Sequence, residues 1–157
     1  MGWETDNVLV LKLAGMPKGW SRAGHRIAGS GDKRFVQTYT PTPMRKYQDS
    51  IGKAAMAAMV GRAPLEGGLS VSLRFRMPIP ASASKKLKAA MAAGEVPHVT
   101  KPDKDNLTKA IYDALNKIVW RDDAQICRGF QTKIYSETPG VDIRVEALEP
   151  QPAQALT

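Results

Sequence analysis

The chain holds one cysteine, Cys127, in 157 residues, so no internal disulfide can form and no zinc-finger framework can be built. Cys127 is expected to be a buried or half-buried strand residue. No stretch approaches the roughly 18 apolar residues of a membrane span. The opening MGWETDN carries acids and lacks an apolar run, so no secretory signal is expected there and the reading is a cytoplasmic protein. There is no internal repeat. Acids are scarce: 15 Asp and Glu stand against 23 Lys and Arg, a formal net charge of +8. A chain so basic has little electrostatic reason to gather its acids, yet part of it does. Its excess charge points to an anionic partner, with nucleic acid the commonest case.

With 43% hydrophobic residues the chain can build one real core, unlike a disordered polypeptide. One domain over 1–148 is the economical reading at this length. Residues 149–157, EPQPAQALT, lack periodicity and are expected to be a frayed tail. Asn7–Ala14 reads as a first strand, 15–34 as loop and Phe35–Thr40 as a short extended piece. After Pro43, an amphipathic helix with Met44, Tyr47, Ile51, Ala55 and Met59 on its core face is predicted to stop at Gly61. Leu69–Met77 alternates as a half-buried strand, with Arg74 and Arg76 facing solvent or DNA. Ser84–Ala93 reads as a short lysine-rich helix closed by Gly94. Leu107, Ile111, Leu115 and Ile118 form the apolar stripe of a helix over about Asn106–Lys117, and Trp120 is expected to plug the core. Gln125–Ser136 and Val141–Ala147 read as a closing hairpin. Strands and helices interspersed without regular βαβ alternation predict a single compact α+β domain, its mixed sheet packed by helices.

Between residues 17 and 46, Lys18, Arg22, Arg26, Lys33, Arg34, Arg45 and Lys46 face a lone acid, Asp32. Trp20, Phe35 and Tyr39 are interleaved and could stack on bases or sugars. Surrounding glycines and serines suggest a mobile basic loop that contacts phosphates.

The acids gather in residues 101–125, KPDKDNLTKAIYDALNKIVWRDDAQ. Asp103 and Asp105 lie two apart just before the predicted helix, in a segment that Pro102 should keep extended, so both carboxylates can face one spot. Asp122–Asp123 follows the helix, and Asp123 needs the chain to fold back to join them. Converging carboxylates suit Mg2+, which takes hard oxygen ligands and is often held by one or two protein carboxylates plus substrate phosphate. The helix start offers free N–H groups to a phosphate. Plainer roles compete: Asp105 as N-cap, an Asp105–Lys109 salt bridge, Asp122–Asp123 as a turn, Asp113 as a solvated charge, and His98 as a hydrogen-bonded loop residue.

The segment KPDKDNLTKAIYDALN followed by WRDDAQ resembles the signature of RusA-type Holliday junction resolvases, small Mg2+-dependent endonucleases often carried by phages and prophages. The resemblance extends to GMPKGWSR, YTPTPMRKY, HVTKPD and KIYSETPGVDIRV, over about residues 8–147. It implies a RusA-like fold, paired symmetric cleavage of four-way DNA junctions, and a homodimer. It further implies Asp103, Asp105 and Asp123 as ligands of Mg2+ (Mn2+ as its substitute) and Lys109 as a catalytic lysine, with Asp122 in a lesser role and Asn106 holding the helix start. Candidate DNA contacts are Lys18, Arg22, Arg26, Lys33, Arg34 and Lys101. Two rival readings stand beside it. One is a DNA-binding module without catalysis; the other is a metal phosphodiesterase acting on other branched DNA or RNA.

Overall fold

The computed structural model describes residues 1–153. In chain order its elements are β1 (Gly2–Thr5), β2 (Val8–Ala14), β3 (Gly24–Ala28), β4 (Phe35–Tyr39), α1 (Thr42–Met59), β5 (Leu69–Pro78), α2 (Lys85–Ala92), α3 (Lys104–Leu115), β6 (Ile126–Ser136) and β7 (Gly140–Ala147). Five strands form one sheet in the order β1-β2-β7-β5-β6, and among the described residues β3 pairs only with β4. Only β5 and β6 run parallel, so the sheet is mixed and the domain is α+β, as expected.

The alternation along β5 is what organises the core. Leu69, Val71, Leu73, Phe75 and Met77 are buried, and they continue across the sheet into Val141, Ile143 and Val145 of β7 and Leu9 and Leu11 of β2. Helices α1 and α3 cover this face, contributing Ile51, Ala55 and Met59 from one and Leu107, Ile111 and Leu115 from the other. The two helices come close where Gly52 lacks a side chain: a Cβ there would lie 3.7 Å from the Ala114 carbonyl oxygen of α3 and 3.3 Å from Ile118 Cδ1 just beyond it. Trp120 is fully buried, the expected plug. On the opposite face Arg74 and Arg76 share the Asp142 carboxylate at 3.1 and 3.3 Å, which ties β5 to β7.

Several boundaries differ from expectation. β6 and β7 do not form a hairpin, because β5 lies between them. Alternation reports which face of a strand is buried; it does not identify the neighbour. The strand with the more apolar inner face, β7, takes the interior position, and β6 is left at the edge. Gly2–Thr5 adds an edge strand with Trp3 stacked under Arg62, whose guanidinium carbon is 3.5 Å from the ring centroid. The predicted basic loop contains a β-hairpin, β3–β4. The left-handed position closing α1 is Val60, with Gly61 following it. Cys127 lies in a strand but is exposed, since β6 is an edge strand. The expected tail lies partly outside the described residues. Within them, Gln151 exchanges hydrogen bonds with the main chain of Glu66 at 2.9 and 3.0 Å. Among the described residues, no helix is long and apolar enough to cross a membrane.

Candidate functional site

The helix carrying the acidic motif begins two residues before its apolar stripe suggested. Asp103 is the N-cap, with extended backbone, and its carbonyl accepts the first helical hydrogen bond from Leu107 N–H at 3.1 Å. Asp105 therefore lies within the first turn and not in an extended segment, so simple alternation does not aim the two carboxylates. The Asp103 side chain makes no capping bond. Its carboxylate pairs with Lys101 Nζ at 3.0 Å, with the two side chains 57% and 85% exposed. An ion pair that open is worth at most about 1 kcal/mol, so another cation readily replaces it. Asp105 is exposed, and the Asp105–Lys109 bridge that competed with a ligand role is not formed; Lys109 pairs with Asp113 at 3.5 Å. The positive end of the helix dipole favours acids in this turn.

Strand β6 walls the site on the far side. Gly129, Gln131, Lys133 and Tyr135 pair with Val71, Leu73, Phe75 and Met77 of β5 and so share the helix-covered face. Two of these four are polar where β5 is wholly apolar. Lys133 Nζ donates to the carbonyls of Thr100 and Pro102 at 2.8 and 2.9 Å, tying the residues that lead into Asp103 onto the strand. Gln131 Nε2 lies 3.4 Å from the Tyr112 hydroxyl. Burial pushes the Tyr112 phenol above its ordinary pKa; the Gln131 contact opposes this, and the charge of Asp123 adds a smaller push upward.

Asp122 has a different task. Its carboxylate accepts from Ala124 N–H at 2.8 Å, and Gln125 Oε1 in turn accepts from Asp122 N–H at 3.0 Å, a capping box on the 3-10 turn Asp123–Gln125. Gln125 Nε2 also donates to the carbonyls of Leu65 and Gly67. Asp122 is thus spent on the turn that presents Asp123.

The basic segment comes to this site through its backbone. Trp20 N–H donates to the Asn106 carbonyl at 2.9 Å, and Lys109 Nζ lies 5.1 Å from the Trp20 ring centroid. Gly19 permits the approach, because a Cβ there would come within 2.9 Å of Pro102 Cβ. Lys18 and Arg22, exposed on either side of Trp20, therefore lie beside the start of α3. Arg26, Lys33 and Arg34 belong to the β3–β4 hairpin: Arg26 Nε donates to Gln37 at 2.8 Å, and the other two are exposed in the turn segment. His98 stacks on Tyr135 with centroids 4.6 Å apart; burial, then Lys133, hold its pKa below the usual value.

Among the described residues, no three His, Cys, Asp or Glu side chains gather closely enough to hold a metal ion. Asp103 and Asp105 stand at the start of α3 and Asp123 in the 3-10 turn beyond its end, and they do not form a ready ligand cage. Their carboxylates, exposed at Asp103 and Asp105 and half-buried at Asp123, are nonetheless the hard donors Mg2+ takes, and Mg2+ commonly uses one or two of them with water and phosphate oxygens. The donor chemistry fits the ion; a closed three-carboxylate site is not built.

Sequence reasoning missed Lys133, Gln131 and Tyr112. The available signal was the polar interruption at Gln131 and Lys133, in phase with Tyr135.

Exposed oxygen donors at a helix start, with a lysine and a basic aromatic loop beside them, are the makeup of a nuclease domain. The family model for Endodeoxyribonuclease RusA matches residues 15–146, and the chain belongs to that family. It is also similar to the uncharacterized protein YqaN of Bacillus subtilis (strain 168), at 36% identity over 83 residues, 52% of this chain and 58% of that protein. The chain thus matches little more than half the length of that relative.

Proposed function

We propose that the protein is a Mg2+-dependent, structure-selective endodeoxyribonuclease that resolves four-way DNA junctions by paired symmetric cuts, as a cytoplasmic homodimer. The observation that carries this is the start of α3. Asp103 sits at the N-cap yet leaves its carboxylate uncommitted to the cap, and the competing Asp105–Lys109 bridge is absent. In this reading Asp103, Asp105 and Asp123 hold the ion, with Mn2+ as its substitute. When bound, Mg2+ supplies charge neutralisation at the scissile phosphate and a water of lowered pKa.

The chain's own groups do the remaining work. The free N–H groups of the first turn of α3 seat a phosphate. Lys109 exchanges its exposed partner Asp113 for a phosphate oxygen and offsets the charge that develops there. Trp20 offers a stacking face beside it. Attack of water oxygen on phosphorus breaks the P–O3′ bond and leaves a 5′-phosphate and a 3′-hydroxyl. A four-way junction has two-fold symmetry, and a two-fold homodimer offers two equivalent sites for it.

The test is cutting of a labelled synthetic junction in Mg2+, beside duplex, flap and RNA substrates, with sedimentation of the free and DNA-bound chain. Symmetry-related nicks in the junction and a dimer are expected. Tight binding without cutting would leave a binding module, and faster cutting of flaps or RNA would make it a different phosphodiesterase. Monomer alone, at micromolar concentration and on DNA, removes the dimer.

Lys133→Met tests the support beneath the site. Removing both hydrogen bonds to the carbonyls frees the 100–102 segment, and cutting is expected to fall about 10–100-fold, the cost of removing a group that orients metal ligands. The Mg2+ concentration giving half-maximal cutting should rise, with the fold retained by circular dichroism. An unchanged Mg2+ requirement would show that Lys133 does not position the ligands.

A further inference from the structure

Nothing in the cleavage chemistry uses the β3–β4 ribbon. Among the described residues its strands pair only with each other, and most of its side chains are exposed. The register sets Ile27 opposite Val36 and Ala28 opposite Phe35. Directly opposed residues share a face and successive residues alternate, so Ile27 and Val36 lie on one face while Phe35 lies on the other, with Arg26 and Tyr39. Ile27 is 73% exposed, Val36 68% and Phe35 57%. The half of the ribbon nearest its turn is therefore apolar on both faces. That turn carries Lys33 and Arg34, and Asp32 is the one acid between Gly24 and Tyr39. The chain leading into the ribbon passes through Trp20, whose N–H is anchored on Asn106.

An element that docks on a protein surface, a second copy included, buries one face. Exposed apolar residues on both faces suit insertion between two layers, and the basic turn makes those layers polyanionic. We propose that the β3–β4 ribbon is a wedge that enters the branch point of a DNA junction, with Phe35 against one base stack, Ile27 and Val36 against the other, and Lys33 and Arg34 on flanking phosphates. Apolar side chains inserted at base steps unstack them and kink the helix, and a branch point is already partly unstacked. A lone two-stranded ribbon is marginally stable in water, so insertion also orders it. This inference rests on the junction-cutting reading and adds to it how the branch is recognised and opened.

The experiment places 2-aminopurine at the branch point of a four-way junction, with Ca2+ replacing Mg2+ to prevent cutting, and reads fluorescence and gel shift together. The parent chain should raise the branch-point signal at least about twofold through unstacking. The Ile27→Ser/Phe35→Ala/Val36→Ser variant should bind without that rise, as should Phe35→Ala in part, each with parent circular dichroism. Lys33→Ala/Arg34→Ala should weaken junction and duplex binding alike and reduce the salt slope by about two, one for each phosphate no longer neutralised. Parent-level fluorescence from the bound triple variant would overturn insertion. So would its conversion from dimer to monomer, which would make the ribbon a subunit contact. A parent chain that cuts the junction while the branch signal stays flat overturns insertion alone; one that neither binds nor cuts it overturns the junction reading as well.

Discussion

Asp105→Asn is expected to lower junction cutting by well over 100-fold while the protein stays folded and bound to DNA. The bound comes from the groups behind metal ligands, whose loss costs about 10–100-fold; a direct ligand should cost more. Structural damage should be small, because the Asp105 side chain is exposed and Lys109 is paired elsewhere. Surface substitutions of this kind usually stay within about 0.5 kcal/mol. DNA affinity should hold or rise, since a negative charge near phosphate is removed. The comparison is Asp122→Asn, which weakens the capping box on the Asp123–Gln125 turn and should act through the placement of Asp123. Cleavage rates, gel shift and circular dichroism on both variants separate the two roles. Asp105→Asn cutting at the parent rate would remove Asp105 from the chemistry.

Trp120→Ala should produce the largest loss of stability, about 3–5 kcal/mol, the usual cost of truncating a buried Trp. That is a large share of the about 5–15 kcal/mol by which a domain is stable. Trp120 is fully buried and meets the Tyr112 ring edge-on, with centroids 5.8 Å apart and planes at 87°. Its carbonyl accepts from Lys117 N–H at 2.6 Å, closing the turn after α3. The cavity would therefore open between α3 and the turn that presents Asp123. Trp120→Phe should cost much less, since Trp120 Nε1 is buried without a hydrogen-bond partner and the substitution removes that donor. Urea unfolding midpoints measure both. A Trp120→Ala loss under about 1 kcal/mol would mean that the surrounding residues collapse into the space.

The legible parts of the fold were the periodic ones. Alternation over Leu69–Met77 and the stripe Leu107, Ile111, Leu115 reproduced β5 and the buried face of α3, because burial repeats with the local backbone geometry. The aspartates and Lys109 were legible as an acidic motif beside a helix. The uncommitted Asp103 side chain was not, because its distinction from an ordinary N-cap lies in a hydrogen bond that is not made.

Composition and periodicity by themselves determined an α+β chain with one core, a basic segment before the first helix, and acids concentrated around another helix. Tertiary structure alone decided that β5 separates β6 from β7, that Lys133 supports the approach to Asp103, and that Trp20 anchors on Asn106. Each of these joins residues far apart in the chain. Their pairing depends on which surfaces and polar groups satisfy one another once the core has closed, and local patterns carry no record of that choice.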